Sequence, residues 1–311
     1  MKTIIDPRTR EFAQAHGLQQ LTESSLVRLL ARDADYSIAK GRCFLEFQQR
    51  IDEELLLHRV ITGNTYTRWF KRGEQSWDQV RAFIVQFSVF SNLFLLAQLH
   101  KMLNADSLEE MRSSKEILAN EIGVVFNPNR RQAAANNVEQ QGDPDLVATE
   151  GSVDGGLFRF RAAHFEWLLQ IAAMLGLSFK EVGKRRHGIP ATLFFCDELV
   201  RLYGSADYAI SQAASYAVEN WAAAGFWEEL IEGLSRFNEQ TGAGLPLAFF
   251  TWHNRLEAQH ARHTQEELEA IYFRGQINED AFIRHGNEML DGVAAFWDGL
   301  DDQRRQIALA A

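Results

Sequence analysis

The chain has 311 residues with only 5 Pro and 21 Gly, a share too low for a turn-rich all-β fold, and its 46% hydrophobic and 24% charged residues exclude bulk disorder. Acidic residues outnumber basic ones 42 to 32, giving a formal charge of −10, and the Lys and Arg are scattered. This excludes a phosphate-tracking nucleic-acid binder and leaves a small molecule as the expected partner.

In chain order, residues 20 to 60 carry two amphipathic patterns. Leu26, Leu29 and Leu30 form the first, and Phe44, Phe47, Ile51, Leu55 and Leu56 the second, each near a helical period. They predict an N-terminal helical extension over residues 1–76, packed on a larger body. From Trp77 to Leu103 the apolar positions Val80, Phe83, Ile84, Phe87, Phe90, Leu93, Leu95 and Leu96 cover most of a helix circumference, the pattern of a central helix. Arg81, Gln86, Asn92 and Gln98 interrupt it and make a membrane span unexpected.

A further helix is expected over Leu108 to Val125, ending at Asn127 and Pro128. Residues 129–156 hold clusters of Asn, Gln, Gly and Asp with few large apolar side chains, so a mobile loop or lid is expected there. Beyond it, helical patterns run over Phe160–Leu175, Thr192–Tyr203, Asp207–Leu234, Leu247–Tyr272 and Asn278–Leu300, punctuated by glycines. The whole reads as an all-α bundle of about seven core helices, with residues 77–311 as the main domain. Cys43 and Cys196 are far apart and no apolar leader is present at the start, so a reducing cytoplasm is the expected compartment.

The residues able to carry chemistry concentrate near residue 253. On a wheel of about 100° per residue, His253, Glu257 and His260 fall at about 0°, 40° and −20°, so one narrow helix face offers two imidazoles and a carboxylate. His263 lies about 80° from His253 and is a weaker candidate. Imidazole with carboxylate suits iron, manganese or zinc. A solvated polar face is the competing account, because Asn254, Arg255, Gln259 and Arg262 share the segment. The spacing is not that of a His-Glu-x-x-His zinc protease, and Glu257 to His260 is a lone Glu-x-x-His where a ferritin-type centre needs two. Glu121, His164 and Glu219 each stand in apolar helical surroundings, where an ionisable group needs a partner.

In order, these motifs resemble those of the haem-oxygenase-like diiron oxidase and oxygenase family. The resemblance spans about residues 77–300 and is carried by Glu121 beside Gly123, His164 before Leu175-Gly176-Leu177, Glu219 before Trp221, the triad His253, Glu257 and His260, and a closing Phe296-Trp297-Asp298-Gly299-Leu300. It implies a haem-oxygenase-like bundle and a metal set of Glu121, His164, Glu219, His253, Glu257 and His260 holding two iron ions, with manganese as an alternative. It also implies O2 as co-substrate, and oxidation of a small amino acid, amine or fatty-acid-like substrate by N-oxygenation, desaturation or C–C cleavage.

Two features depart from the family pattern. The 129–156 insertion separates Glu121 from His164, leaving Glu116 as an alternative first ligand, and Glu257 stands where many relatives have Asp. The alternatives are a metal-independent enzyme of the same fold, thiaminase-II-like or quinone-synthase-like, or a non-catalytic helical binding protein. Cys196 lacks the surroundings expected of a thiaminase-II nucleophile. Homodimerisation is left open. Nine aromatics, Phe83, Phe87, Phe90, Phe194, Phe195, Trp221, Phe226, Phe249 and Trp252, are candidates for a dry pocket, although plain core packing accounts for most of them.

Overall fold

The computed structural model describes residues 6–122, 124–127, 146–148, 157–161, 164–275 and 277–310; the side chains at 109, 113, 116, 120, 124–127, 146–148, 157–161, 164 and 256–263 lie outside that description. The helices are α1 (Pro7–His16), α2 (Glu23–Ala31), α3 (Ile38–Glu54), α4 (Arg59–Thr62), α5 (Thr65–Phe70), α6 (Trp77–Leu103) and α7 (Leu108–Glu121), followed by α8 (His164–Met174), α9 (Pro190–Glu198), α10 (Tyr208–Ala222), α11 (Phe226–Thr241), α12 (Ala248–Arg274) and α13 (Glu279–Ala310). The architecture is helical, as composition predicts.

Three short strands depart from an all-α fold. They are β1 (Val124–Asn127), β2 (Leu146–Ala148) and β3 (Leu157–Arg161), antiparallel in the order β1-β3-β2, with Val124 opposite Phe160 and Leu146 opposite Arg161. This corrects three expectations. The helix placed over Leu108–Val125 ends at Glu121, with Val124 and Val125 in β1; the helix placed from Phe160 begins at His164; and the segment read as loop contains β2. The reason is visible in the alternation Phe158, Arg159, Phe160, Arg161, which follows the two-residue period of a strand, and in the β-branched Val124 and Val125, which favour extended backbone. Residues 129–145 and 149–156, the rest of the expected lid, lie outside the described residues.

The central helix is α6. Ser76 and Gln79 close its N-terminus with a reciprocal capping box, and the helix runs 27 residues. It is the one described helix long and apolar enough to cross a membrane, yet α7, α8, α9 and α13 pack around it and Val80, Phe83, Ile84 and Phe87 are buried in the core. The pattern over Asp207–Leu234 resolves into two helices. Gly225, at φ +92°, turns the chain between α10 and α11, a conformation that costs a glycine little and an L-side chain much.

The N-terminal helices pack on the far half of α12. The ring of Tyr36 stacks on Phe273 at 4.2 Å, and Phe47 on Tyr272 at 5.5 Å. Glu269, with no exposed surface, accepts hydrogen bonds from the Thr22 backbone N–H at 3.0 Å and from the Thr22 hydroxyl at 2.5 Å. The same Thr22 hydroxyl caps α2, so one residue starts a helix and fastens it to α12.

Two predictions follow from this packing. A methyl group added at Gly233, inside α11, would overlap the backbone carbonyl of Phe70, which cannot swing aside as a side chain could. Gly233→Ala is expected to cost about 3 kcal/mol, the upper range for overpacking, measured by denaturant unfolding. A loss within experimental error would show that α5 and α11 are not held this close. For Glu269, burial raises the carboxyl pKa, against the opposing pull of its hydrogen bonds. A raised native pKa means that the group's contribution is fully present below the unfolded value of about 4.5 and is lost as pH rises through the native pKa. The melting temperature of wild type relative to Glu269→Gln should therefore fall between pH 4 and 7, and a pH-independent difference would refute the assignment.

Candidate metal centre and its cavity

A cavity of about 100 Å³ opens between α6, α7, α10, α11 and α12. One stripe of α6 faces it. Phe87, Phe90, Ser91, Phe94 and Gln98 all border the cavity, and on a helical wheel they span about 100° of arc. From α7 come Ile117 and Glu121; from α10, Val218, Glu219, Trp221 and Ala222; from α11, Trp227; and from the first turns of α12, Phe249, Trp252 and His253. Glu121, Glu219 and His253 are thus brought to one wall system from three helices, although 132 residues of chain separate the first from the last.

The local sequence explains how each arrives. Glu121 is the last residue of α7, so its position follows from where that helix stops. Glu219 lies in the final turn of α10, flanked by Val218 and Trp221, which face the same cavity. His253 sits between aromatic surfaces. Its ring stacks on Trp227 at 4.8 Å with 18° between planes and lies 4.3 Å from the ring of Phe249. Its Nδ1 is 2.6 Å from the carbonyl oxygen of Phe249, one turn back on the same helix. A carbonyl only accepts, so Nδ1 is a ring nitrogen that carries a proton, and Nε2 is the nitrogen that a metal would take.

Glu257 and His260 follow His253 on a helix that is continuous from Ala248 to Arg274, as the spacing predicts. Their side chains lie outside the described residues, as do those of His164, His263 and Glu116. His164 is placed to the extent that it opens α8. Among the described residues, no three His, Cys, Asp or Glu side chains form a group able to hold a metal ion. Glu121, Glu219 and His253 therefore border a common cavity without making a ligand set of their own.

Behind Glu219 lies a buried polar network. The fully buried Tyr203 hydroxyl accepts a hydrogen bond from Gln98 Nε2 at 2.8 Å. Lys101 places its ammonium 4.6 Å from the centre of the same ring and donates to Ser215 Oγ at 2.7 Å. Burial above all, and then the charge of Glu219, push the Tyr203 phenol well above its usual pKa, so it stays neutral at physiological pH. Tyr203 ends a π-helical turn, Leu199–Tyr203, that continues α9. Such turns recur at functional sites.

Of the nine aromatics expected around a pocket, Phe87, Phe90, Trp221, Phe249 and Trp252 border the cavity. Phe83, Phe195 and Phe226 are buried outside its lining, while Phe194 is exposed. Sequence reasoning passed over Phe94, Trp227 and Gln98. The first and last were recoverable, because both continue the stripe of Phe87 and Phe90 along α6. Trp227 was recoverable only by reading Gly225 as the helix break that orients α11.

No family model matches the chain, and no curated protein matches it in sequence.

The thiol chemistry of the chain is testable directly. Cys196 is 2% exposed, and desolvation, with Asp197 adding to it, pushes its pKa up to about 12. Cys43 is exposed. Iodoacetamide at pH 8 should label Cys43 and leave Cys196 unmodified until denaturant is added, as read by peptide mass spectrometry. Rapid labelling of Cys196 in the folded protein would restore a cysteine nucleophile to consideration.

Proposed function

We propose that this protein is a non-haem diiron oxidase or oxygenase that uses O2 to oxidise a small, largely apolar molecule. The observation that carries the reading is the convergence of Glu121, Glu219 and His253 on one aromatic cavity. These are the residues, among the six the family resemblance marks as ligands, whose side chains are described. An arbitrary set of a histidine and two glutamates from three helices has no reason to share a cavity whose lining is mostly apolar, with four Phe and three Trp.

The donor chemistry fits iron. Carboxylates and imidazole are the ligand types that non-haem iron takes, and the Nδ1 contact of His253 leaves Nε2 as the coordinating atom. Glu121, Glu219 and His253 would hold the metals together with His164, Glu257 and His260, Glu116 being the alternative to Glu121. When bound, two ferrous ions supply the two electrons and the open positions at which O2 is reduced.

The chain's own residues supply the rest. Phe87, Phe90, Phe94, Phe249 and Trp252 exclude water from the cavity and give an apolar body somewhere to lie. Trp227 stacks on the His253 imidazole and fixes its plane, while the Phe249 carbonyl holds its Nδ1 proton. Tyr203, held neutral by burial, keeps an uncharged hydroxyl behind Glu219. A metal-independent thiaminase-II-like activity is disfavoured by the buried, high-pKa Cys196. A substrate-sized partner and catalysis at this cavity therefore form the working reading, with N-oxygenation, desaturation and C–C cleavage as its possible outcomes.

The decisive measurement is thermal stability with and without Fe(II), under anaerobic conditions, in wild type and in Glu219→Gln and His253→Ala. A metal that binds only the native state stabilises it by about 2.7 kcal/mol at a hundredfold excess over Kd. Wild type should show such a shift, and each variant should lose most of it along with O2 consumption. Glu219→Gln should keep or raise the metal-free melting temperature, because it preserves side-chain size while removing the charge from one of two half-buried carboxylates that border the same cavity. Equal Fe(II)-induced shifts in all three proteins would remove both residues from the site.

A further inference from the structure

Against the scatter of cations elsewhere, Lys184-Arg185-Arg186 is the one run of three in the sequence, and Lys180 stands just ahead of it. All four lie between α8 and α9, in a loop that also carries the exposed ring of Phe179, 59% accessible. The loop is held in place by α6. Gln86 donates to the His187 carbonyl at 2.8 Å and accepts from the Ile189 N–H at 2.9 Å, so it grips the chain on both sides of Gly188. Ser88 accepts from the Gly183 N–H at 2.9 Å, and Asn92 donates to the Gly183 carbonyl at 2.9 Å. Arg186 donates to the Lys180 carbonyl at 2.8 Å and closes the loop on itself. Three polar residues of the central helix, none of them in the lining of the cavity, thus give a cationic loop one shape.

The surface this loop presents is positive. Arg185 is committed to Asp197 of α9 in a bidentate pair at 2.7 and 2.8 Å. Glu181 accepts from the Ser178 N–H at 2.8 Å; the hydrogen bonds from Ser178 first, and then the charge of Arg81 on α6, hold its carboxyl below the usual range. Lys180 and Arg186 are exposed, and Lys184 lays its ammonium 4.2 Å from the centre of the Phe179 ring. A second exposed ring, Phe194 at 49%, lies about one helical turn before Asp197 on α9 and so borders the Arg185–Asp197 pair. Cations and apolar rings therefore share one rigid patch on a chain whose formal charge is −10.

We propose that this loop and the adjoining face of α9 form a docking surface for an anionic lipid bilayer, with Phe179 and Phe194 entering the interface and Lys180, Lys184 and Arg186 meeting lipid phosphates. The chemistry of the patch selects that partner. Each Lys or Arg near a negatively charged leaflet strengthens attachment, and an apolar ring beside it gains by leaving water at the acyl boundary. A nucleic acid would use the cations and leave the rings idle, since Lys184 sits over Phe179 where a stacking base would lie. The acidic remainder of the chain is repelled by the same leaflet, so attachment turns the patch toward the bilayer and the rest away from it. Because α6 already fixes the loop, little ordering is lost on docking. None of this depends on iron or on the cavity.

The test is co-sedimentation of the full chain with phosphatidylcholine vesicles, with and without about 30% phosphatidylserine, at about 0.1 M and about 0.5 M salt. Binding is expected to the anionic vesicles alone, and to be largely lost at the higher salt. Lys180→Glu combined with Lys184→Glu should weaken it at least about tenfold. Phe179→Ser, which leaves every charge in place, should weaken it severalfold, a loss that a purely electrostatic attachment does not show. If either protein fails to fold, Lys180→Gln and Phe194→Ser read the same two contributions more mildly. Equal binding to neutral and anionic vesicles, binding to neither, or anionic binding unchanged in the charge variant or in both ring variants would overturn the proposal. A single-stranded oligonucleotide and polyglutamate are run at equal negative charge. Tighter binding to either than to the anionic vesicles would give the patch to a nucleic acid or to an acidic protein, and would overturn the proposal as well.

Discussion

The structure depends on how α6 is covered. A 27-residue helix that is apolar around most of its circumference must bury much of its surface, and the helices around it cover Val80, Phe83, Ile84 and Phe87 while Trp77, Leu96, Leu99 and Leu103 stay exposed toward its ends. Phe87 lies at the centre of the arrangement. Its ring is 5.3 Å from Phe83, 5.4 Å from Phe90, 5.8 Å from both Trp227 and Phe250, 5.9 Å from Phe249 and 6.3 Å from Phe296. Those contacts join α6 to α11, α12 and α13 through edge-to-face and tilted pairs, the arrangements that aromatic quadrupoles favour. Because aromatic rings are rigid and large, they fix the separation and the rotation of the helices that carry them.

The cavity is a consequence of that packing. Flat rings meeting at steep angles leave space where a ring edge has no counterpart, and here the space falls between the far end of the aromatic cluster and the polar network of Tyr203, Gln98 and Lys101. The site therefore has an apolar side set by the core and a polar side set by buried, hydrogen-bonded groups. Glu121, Glu219 and His253 stand around it on elements that the core holds in place. His253 shows the coupling most directly: the Trp227 ring against its face belongs to the same cluster as Phe87.

The N-terminal helices act on the same framework from outside. They bind the half of α12 beyond the undescribed 256–263 side chains, through Thr22 on Glu269 and through Tyr36 and Phe47 on Phe273 and Tyr272. Arg50 adds ion pairs to Glu279 and Asp280 at the start of α13. Anchoring one end of α12 in this way limits how far its His253 end can shift relative to α6 and α10. The extension thereby gains a structural purpose that its own sequence does not disclose.

The sequence by itself determined the helical elements, the central standing of α6, and the placement of His253, Glu257 and His260 on one continuous helix, because periodicity is a local property that survives without knowledge of neighbours. Glycine at 225 and the alternation at 158–161 were equally local signals, and the helix break and the strand they encode were legible there though misread. Tertiary structure alone decided which apolar residues border space and which fill it: Phe87 and Phe83 are one helical turn apart and indistinguishable in pattern, yet one lines the cavity and the other does not. It also decided that Gln98, a polar interruption of an apolar helix, faces Tyr203 and the cavity, and that Thr22 meets Glu269 across 247 residues of chain. A helical period states which face a residue occupies; only the packing of other elements states what that face meets.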